Sequence, residues 1–270
     1  MDLGLSGRAC VVTGASRGIG LETARLLCAE GARVLLVARG ERDLSEAVEL
    51  CRSAGESAGG EARALALDVI RADAGELMVA ECERRFNRLD VLVNNAGTAR
   101  WRPLDAVPDE DWQAAWDLNV IAPLRAMRAA IPGMRERGWG RVVNVASTAG
   151  KRPSALMPEY SVAKAAELSL SRLFADLHAK EGVLVNAICP GPTKSELWMG
   201  HGGLLDQSRE AADLETREQA LDAAGEKRPI GRLAEVSEIA GAIVFLCSER
   251  ASYVAGAAWS VDGGTVQVII

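Results

Sequence analysis

The stretch ACVVTGASRGIG, residues 9–20, decides the fold class of this 270-residue chain. An apolar run leads into Gly14, Gly18 and Gly20, and an amphipathic stretch follows over residues 20–30. Glycines between a strand and a helix let the backbone approach a pyrophosphate, whose charge then meets the helix N-terminus. A tight turn without a ligand is the alternative. We predict a strand–turn–helix unit that binds a dinucleotide through Gly14, Ser16, Arg17, Gly18, Ile19 and Gly20.

The alternation of apolar runs and helical patterns continues along the whole chain. The apolar runs are rich in Val, Leu, Ile and Ala, as is typical of strands buried on both faces. Their order predicts right-handed βαβ units, and hence an α/β fold: a Rossmann-type, doubly wound three-layer sandwich with a seven-stranded parallel sheet. We place strands at residues 9–12, 34–37, 64–67, 91–93, 142–145, 184–188 and 257–261, and helices at 20–30, 41–53, 74–86, 112–137, 158–180 and 235–247.

Charge and cysteine usage argue against several other classes. The net charge is −6, and basic residues are interleaved with acidic ones, so no basic run is available for a nucleic-acid backbone. No apolar run approaches the ~20 residues that span a bilayer, and the first residues do not resemble a secretory signal. The six cysteines and two histidines lack the spacing of metal ligands. We expect a cytoplasmic protein with a small-molecule substrate and no nucleic-acid, membrane or metal partner.

The end of the second predicted strand bears on the choice of cofactor. An acidic residue there accepts hydrogen bonds from the ribose of NAD, whereas an arginine suits the 2′-phosphate of NADP. This chain has Ala38 and Arg39, and Arg17 in the glycine turn can reach the same phosphate. We therefore favour NADP(H), while NAD(H) stays open because surface arginines are common. After the third strand, Asp68 and Val69 are expected at the adenine, with a strand-end cap as the equal alternative.

Tyr160 and Lys164, in the stretch YSVAK, carry the predicted chemistry. Because the two residues are four positions apart, a helix places their side chains on one face. An ammonium one turn away stabilises a phenolate, which an isolated tyrosine forms only near pH ~10. Lys164 can also hydrogen-bond the nicotinamide ribose. We predict that Tyr160 is a general acid or base, the alternative being an ordinary pair on a helix surface.

Two further polar residues are candidates for the same site. Ser147 ends the fifth apolar run, and the carboxyl ends of parallel strands are where doubly wound sheets hold ligands. Its hydroxyl can donate to a substrate carbonyl oxygen beside Tyr160. Asn119 is polar in an otherwise apolar helix, for which a structural amide is the alternative.

Taken together, these motifs resemble the short-chain dehydrogenase/reductase family in its smaller, single-domain form. The resemblance covers nearly the whole chain, and among the family's members it is greatest to the 3-oxoacyl-carrier-protein reductase-like group. The motifs that carry it are TGASRGIG at residues 13–20, Asn94-Asn95-Ala96-Gly97, Asn119, Ser147, Tyr160, Lys164 and Pro190-Gly191-Pro192-Thr193.

The resemblance implies an NADP(H)-dependent oxidoreductase that moves a hydride between a nicotinamide and a ketone or secondary alcohol. In that family pattern Tyr160 is the general acid or base, Ser147 orients the carbonyl and Lys164 binds the ribose. Asn119 anchors a water in a proton relay. An NAD-dependent secondary-alcohol dehydrogenase and a non-catalytic dinucleotide-binding module are the alternatives. The expected cofactor contacts further include Asn95, Ala96, Gly97, Pro190, Gly191 and Thr193.

One long connection stands out in what we predict to be a single dinucleotide-binding and catalytic domain over residues 1–270. Residues 190–232 are too many for an ordinary loop, and we predict a substrate lid at residues 194–228. We expect Asp206 to begin a helix there that Gly225 ends. Leu197, Trp198, Met199, Leu204 and Leu205 are expected to close over an apolar or aromatic substrate, the alternative being a helix packed permanently on the core.

The two longest predicted helices, residues 112–137 and 158–180, each carry a second apolar face. In relatives these helices pair across two-fold axes, which implies a homotetramer, with a dimer as the second choice. The apolar residues 266–270 are expected at a subunit contact. The cations of Arg100-Trp101-Arg102 and of Lys151-Arg152 are candidates for the substrate pocket, where they would favour an acidic or phosphopantetheine-bearing substrate, unless they are simply solvated.

Overall fold

A computed structural model describes residues 2–267 of the chain, and its centre is a seven-stranded, entirely parallel sheet. The strands are β1 (Ala9–Thr13), β2 (Arg33–Ala38), β3 (Glu61–Ala66), β4 (Val91–Asn94), β5 (Gly140–Val145), β6 (Val183–Pro190) and β7 (Ala258–Val261). Their spatial order is β3-β2-β1-β4-β5-β6-β7. The predicted doubly wound three-layer sandwich is confirmed.

Helices cover both faces of the sheet. Those of the described chain are α1 (Gly18–Ala29), α2 (Glu41–Gly55), α3 (Ala74–Phe86), α4 (Asp109–Trp116), α5 (Ala122–Glu136), α6 (Pro158–His178), α7 (Glu196–Met199), α8 (Leu204–Ala211), α9 (Arg217–Glu226) and α10 (Val236–Cys247). One apolar core lies between the sheet and α1, α2 and α10, and the other between the sheet and α3, α5 and α6. Each core buries one face of the sheet, which explains the continuous apolar runs.

Strand β3 departs from the predicted bounds. It begins at Glu61, three residues before the predicted start, and only Ala62 of its six residues is fully buried. It is the edge strand of the sheet, so its sequence lacks a continuous apolar run. The predicted helix before it also continues further, to Gly55 instead of residue 53.

The predicted helix over residues 112–137 is not one regular helix. It starts earlier, at Asp109, and α4 and α5 are joined by a π-helical turn, Asp117–Ile121. Pro123 has no backbone N–H to donate to the carbonyl of Asn119, four residues before it, and the amide of Ala122 donates to the carbonyl of Asp117, five residues before it. Turns of this kind are frequent at functional sites, and this one contains a predicted site residue.

Three buried polar side chains connect the sheet to α6. Asn94 Nδ2 donates to Asn144 Oδ1 over 2.8 Å, and Asn144 Nδ2 donates to Ser171 Oγ over 2.8 Å. Ser171 in turn donates to the carbonyl of Glu167 over 2.7 Å. Because each buried polar group has its partner, this chain of hydrogen bonds fixes α6 in position against β4 and β5.

The predictions about cysteines, membrane-spanning segments and metal sites can be compared with the described residues. All six cysteines are buried and free. Between residues 2 and 267 there is no helix with the length and apolar character needed to cross a membrane. The same range contains no group of three or more His, Cys, Asp or Glu residues able to hold a metal ion. Of the predicted subunit contact at residues 266–270, the part from 268 onward lies outside the described residues.

Replacing Asn144 by leucine should destabilise the protein by about 1–3 kcal/mol for each hydrogen-bonding group that loses its partner, here Asn94 and Ser171. Urea unfolding of Asn144→Leu, Ser171→Ala and the double variant measures this cost. The double variant should lose less stability than the sum of the single variants, by about 0.5–3 kcal/mol. Strict additivity would show that the hydrogen-bonded chain does not exist in solution.

Candidate active site

The structure brings the predicted site residues to one edge of the sheet. The glycine turn follows β1, Arg39 follows β2, Asp68 follows β3, Asn95 follows β4 and Ser147 follows β5. Since all strands are parallel, their carboxyl ends share this edge. Neighbouring strands β1 and β4 form the topological switch point, where doubly wound sheets open a ligand crevice.

The glycine turn is shaped for close approach of an anion. Gly14 and Gly18 have φ of 64° and 58°, which side chains disfavour, and a Cβ on Gly14 would lie 2.9 Å from Ala96 Cα. A Cβ on Gly20 would lie 2.4 Å from Asn95 Nδ2. Helix α1 begins at Gly18 with no side-chain cap and no acidic residue in its first turn. Its first amides therefore suit a pyrophosphate.

Thr13 and Asn95 hold this turn against the end of β4. Thr13 Oγ1 accepts hydrogen bonds from the amides of Asn95 and Ala96, over 2.9 and 3.1 Å. Asn95 Nδ2 donates to the carbonyls of Thr13 and Gly14, over 2.9 and 3.2 Å. Asn95 therefore shapes the cofactor site by bracing the backbone. The bracing hydroxyl of Thr13 was not among the predicted site residues, although it opens the quoted motif.

The residues expected around the adenosine half of the cofactor lie at this same edge of the sheet. Arg17 and Arg39 are exposed, and between residues 2 and 267 neither forms an ion pair. Asp68 Oδ1 accepts a hydrogen bond from the amide of Ile70 over 3.2 Å, so the strand-end cap is present. Val69 is buried and lines a small cavity together with Ala96 and Asn94.

Tyr160 and Lys164 lie together at the start of α6, as their spacing predicts. Tyr160 is half-buried in the first turn, whereas Lys164 is only 2% exposed. Lys164 Nζ lies 5.6 Å from the centroid of the Tyr160 ring and donates to the carbonyl of Val145, on β5, over 2.8 Å. The ammonium is thus fixed between the sheet and the tyrosine.

Lys164 also forms an ion pair that the sequence analysis did not predict. Its Nζ lies 2.8 Å from Glu167 Oε2, and both side chains are almost fully buried. Burial lowers the pKa of Lys164, but the charges of Glu167 and Tyr160 and the Glu167 hydrogen bond outweigh burial, so the pKa is raised. The lysine is therefore charged at neutral pH. The Lys-to-Glu spacing of three was visible in the sequence, but it is also typical of solvated helix surfaces.

Ser147 is positioned beside this pair by a short turn. It directly follows β5 and Ala146, and its Oγ accepts a hydrogen bond from the amide of Ala149 over 3.1 Å. The turn packs on α6 so closely that a Cβ on Gly150 would lie 2.8 Å from the carbonyl carbon of Lys164. The Ser147 hydroxyl can still donate its hydrogen to a ligand.

Asn119 is buried in the π-helical turn and faces the same site. Its Nδ2 donates to the carbonyl of Ala115 over 2.9 Å, whereas its Oδ1 has no partner within the described chain. Asn119 Oδ1 and Lys164 Nζ lie 3.4 and 3.7 Å from the place a Cβ on Gly97 would take. The acceptor and the ammonium thus border the same small space beside Gly97, which is suited to a hydrogen-bonded water.

The residues after β6 form the far wall of the site. The amide of Gly191 donates to the carbonyl of Val261 over 3.0 Å, and a Cβ on Gly191 would lie 2.8 Å from Asp262 Cα. Thr193 is buried, and its hydroxyl donates to the carbonyl of Gly191 over 2.9 Å. Only the lone pairs of Thr193 Oγ1 are then available to a ligand.

The long connection after Pro190 folds into three short helices, α7, α8 and α9, and one prediction about it is wrong. The expected single helix from Asp206 to Gly225 is broken, because Asp213 has φ of 52° and a new helix starts after Thr216. Thr216 and Gln219 form a capping box there. Asp206 lies inside α8, and its carboxylate accepts a hydrogen bond from the amide of Gly202.

The same segment lies against the predicted cofactor turn. A Cβ on Gly18 would lie 3.4 Å from Ser195 Cβ, and Gln207 Oε1 accepts a hydrogen bond from the amide of Trp101 over 2.8 Å. Leu204 and Leu205 were expected to close over a substrate. Both are fully buried, so neither is available to one. The side chains of Leu197, Trp198 and Met199 are half-buried.

Two predicted substrate cations are engaged elsewhere. Arg102 pairs with Asp111 at the start of α4. Lys151 donates to the carbonyl of Ala258 and to Ser260 Oγ, over 2.6 and 2.9 Å, and thereby connects the turn after Ser147 to β7. Both cations therefore have structural partners, and neither supports an acidic substrate.

Comparison with known proteins gives relatives along nearly the full length of the chain. The family model described as enoyl-(acyl carrier protein) reductase matches residues 14–266. A Streptomyces virginiae protein, named as a ketoacyl reductase of the monensin polyketide synthase, is 37% identical over 95% of this chain and 96% of its own length. The D-beta-hydroxybutyrate dehydrogenase of Cupriavidus necator is 34% identical over 97% of this chain and 99% of that protein.

Among solved structures, the L-sorbose reductase of Gluconobacter frateurii, complexed with NADPH and L-sorbose, is similar throughout. Its TM-score is 0.91 at 36% identity, and the match covers 100% of both chains. Sequence, fold and the arrangement of Ser147, Tyr160 and Lys164 agree with one another. This chain belongs to the short-chain dehydrogenase/reductase family of oxidoreductases.

Proposed function

We propose that Tyr160 exchanges the proton in this oxidoreductase while a hydride passes between NADP(H) and a ketone or secondary alcohol. The observation that carries the proposal is the buried, charged Lys164, fixed one helical turn from Tyr160 at the carboxyl edge of β5. A phenol next to a fixed ammonium is suited to give up and regain a proton. The activity that follows is that of a carbonyl or 3-oxoacyl reductase.

The chain offers a complete set of groups for the cofactor. The glycine turn and the first amides of α1 bind the pyrophosphate, and Arg17 and Arg39 bind the 2′-phosphate. Asp68, Val69 and Ala96 line the adenosine side. The NADPH bound to the similar L-sorbose reductase supports this assignment. When bound, the nicotinamide supplies the hydride for reduction or accepts it in the reverse reaction.

The protein's own groups handle the proton and the carbonyl oxygen. In reduction, the Tyr160 hydroxyl donates its proton to the carbonyl oxygen, and the Ser147 hydroxyl donates a hydrogen bond to the same oxygen. Lys164 stabilises the phenolate left behind and hydrogen-bonds the ribose with a remaining N–H. Asn119 Oδ1, free and close to Lys164, accepts from a water that returns the proton.

We extend the proposal to the organisation of the chain. Residues 1–270 form a single domain with a mobile lid at residues 194–228, which is supported by its short helices and its position against Gly18. The assembly is a homotetramer in the cytoplasm. An apolar stripe on α6, made of Val162, Leu173 and Leu177, is about half exposed and supports a subunit contact.

Replacing Tyr160 by phenylalanine should lower kcat by about 10²–10⁴-fold, because only the proton donor is removed. Turnover of a panel of ketones and alcohols, followed by nicotinamide absorbance, measures the loss, and NADPH binding should be unchanged. The matched control is Tyr253→Phe, which removes the chain's other tyrosine, a fully exposed one, and should have wild-type kcat. Wild-type turnover by Tyr160→Phe would refute the assignment.

Replacing Arg39 by aspartate should weaken NADPH binding by roughly 2 kcal/mol, since a charge-assisted contact to the 2′-phosphate is lost. NADH lacks this phosphate, so its affinity should change little. Fluorescence titration with both nucleotides tests the difference. Arg42→Asp makes the same charge change on an exposed arginine of α2 and should affect neither affinity. Equal losses for NADPH and NADH in Arg39→Asp would count against the NADP assignment.

If residues 194–228 form a mobile lid, their amides should exchange with deuterium more slowly when NADPH is bound. The reason is that a closed segment has less access to solvent. Hydrogen exchange with and without NADPH measures this, with residues 74–86 of α3 as an internal control. Identical exchange of residues 194–228 in both states would show a segment packed permanently on the core.

A further inference from the structure

Glu167 is a buried acid that the proposed reaction does not use. It lies on α6, three residues after Lys164, and its side chain is 1% exposed. Its Oε2 accepts a hydrogen bond from Lys164 Nζ over 2.8 Å. Val145 and Glu167 thus take two of the three N–H groups of the ammonium, which leaves one.

A buried ion pair of this kind is not required for stability. Removing two charges from water costs several kcal/mol, and apolar residues of the same volume often stabilise a protein as well or better. In the absence of Glu167, however, Lys164 would be a fully buried cation with a backbone carbonyl as its partner. Burial favours its neutral form, which neither stabilises a phenolate nor binds a ribose as a cation.

We propose that Glu167 is a positioning residue for the reaction: it holds Lys164 as a fixed ammonium beside Tyr160 and sets the pH range over which the pair keeps its proton. This inference rests on the proposed function of Tyr160 and extends it to Glu167, in the turn of α6 after Lys164. Glu167 itself lies too far along α6 to be assigned any contact with substrate. It acts through Lys164.

Few other ionisable groups bear on this pair within the described chain. On α6 itself the neighbour is Tyr160, and on β6 it is the thiol of Cys189. Burial raises the pKa of Cys189 to about 11, so that thiol is neutral in the working range. Beyond Cys189 lie Lys151 and Asp262. Burial raises the pKa of Glu167 above its ordinary value, although the charge and the hydrogen bond of Lys164 act in the opposite direction.

The sign of the effect follows from electrostatics. The carboxylate opposes loss of a proton from the Tyr160–Lys164 pair, because deprotonation makes the pair more negative. Without the carboxylate the pair should lose its first proton at lower pH, whichever of the two groups releases it. Reduction needs the protonated pair. The pH above which reduction is lost should therefore be lower.

The test is the pH profile of kcat/KM for carbonyl reduction at saturating NADPH, measured for Glu167→Gln and the wild type. The alkaline limb of Glu167→Gln should move down by about one pH unit or more. Glu167→Asp keeps the charge and should restore the limb toward its wild-type position. Should glutamine not be tolerated in the core, Glu167→Leu carries the same expectation with an apolar side chain.

Ser171→Ala is the matched control, since Ser171 is buried on the same helix and hydrogen-bonds the Glu167 backbone without contacting Lys164. It should lower stability and leave the alkaline limb unmoved. An unmoved limb in Glu167→Gln, whether rates are normal or uniformly reduced, would overturn the inference. Failure of the proposed function is distinguishable, because the wild type would then show no turnover with any carbonyl.

Discussion

The contact between the Lys164 ammonium and the carbonyl of Val145 joins the chemistry of this protein to its core. Val145 ends β5, and Lys164 lies in the second turn of α6, so the hydrogen bond fixes the helix at the carboxyl edge of the sheet. A charge at this depth is tolerated only because it is paired. The hydrogen bonds that make the buried lysine tolerable also fix its position, one helical turn from Tyr160.

The surrounding polar groups extend this anchoring in both directions. Toward the core, Asn94, Asn144 and Ser171 connect β4 and β5 to α6 by satisfied hydrogen bonds. Toward the cofactor, Thr13 and Asn95 connect the glycine turn to the end of β4. The cofactor turn and the catalytic helix are therefore both hydrogen-bonded to β4 and its neighbours in the sheet. Sites carried by rigid elements keep the geometry that proton and hydride transfer need.

Much of this arrangement was predictable because it depends on local pattern. Buried parallel strands give continuous apolar runs, the glycine turn has its own spacing, and the four-position spacing of Tyr160 and Lys164 places both on one helix face. What failed depended on packing between distant segments. The Lys164–Glu167 spacing is typical of a solvated pair, and only the packing of α6 on β5 and β6 buries it. The partners of Lys151 on β7 are likewise remote in sequence, whereas the break at Asp213 had a local signal in the capping box of Thr216 and Gln219.

The most direct test of the account is a crystal structure of the protein with NADPH and a carbonyl substrate analogue. The account predicts the Tyr160 hydroxyl at hydrogen-bonding distance, about 3 Å, from the carbonyl oxygen. The carbonyl carbon should lie over the reactive carbon of the nicotinamide, and Lys164 should contact the ribose. A Tyr160 hydroxyl that faces bulk solvent, with the carbonyl oxygen bound by other groups, would contradict it.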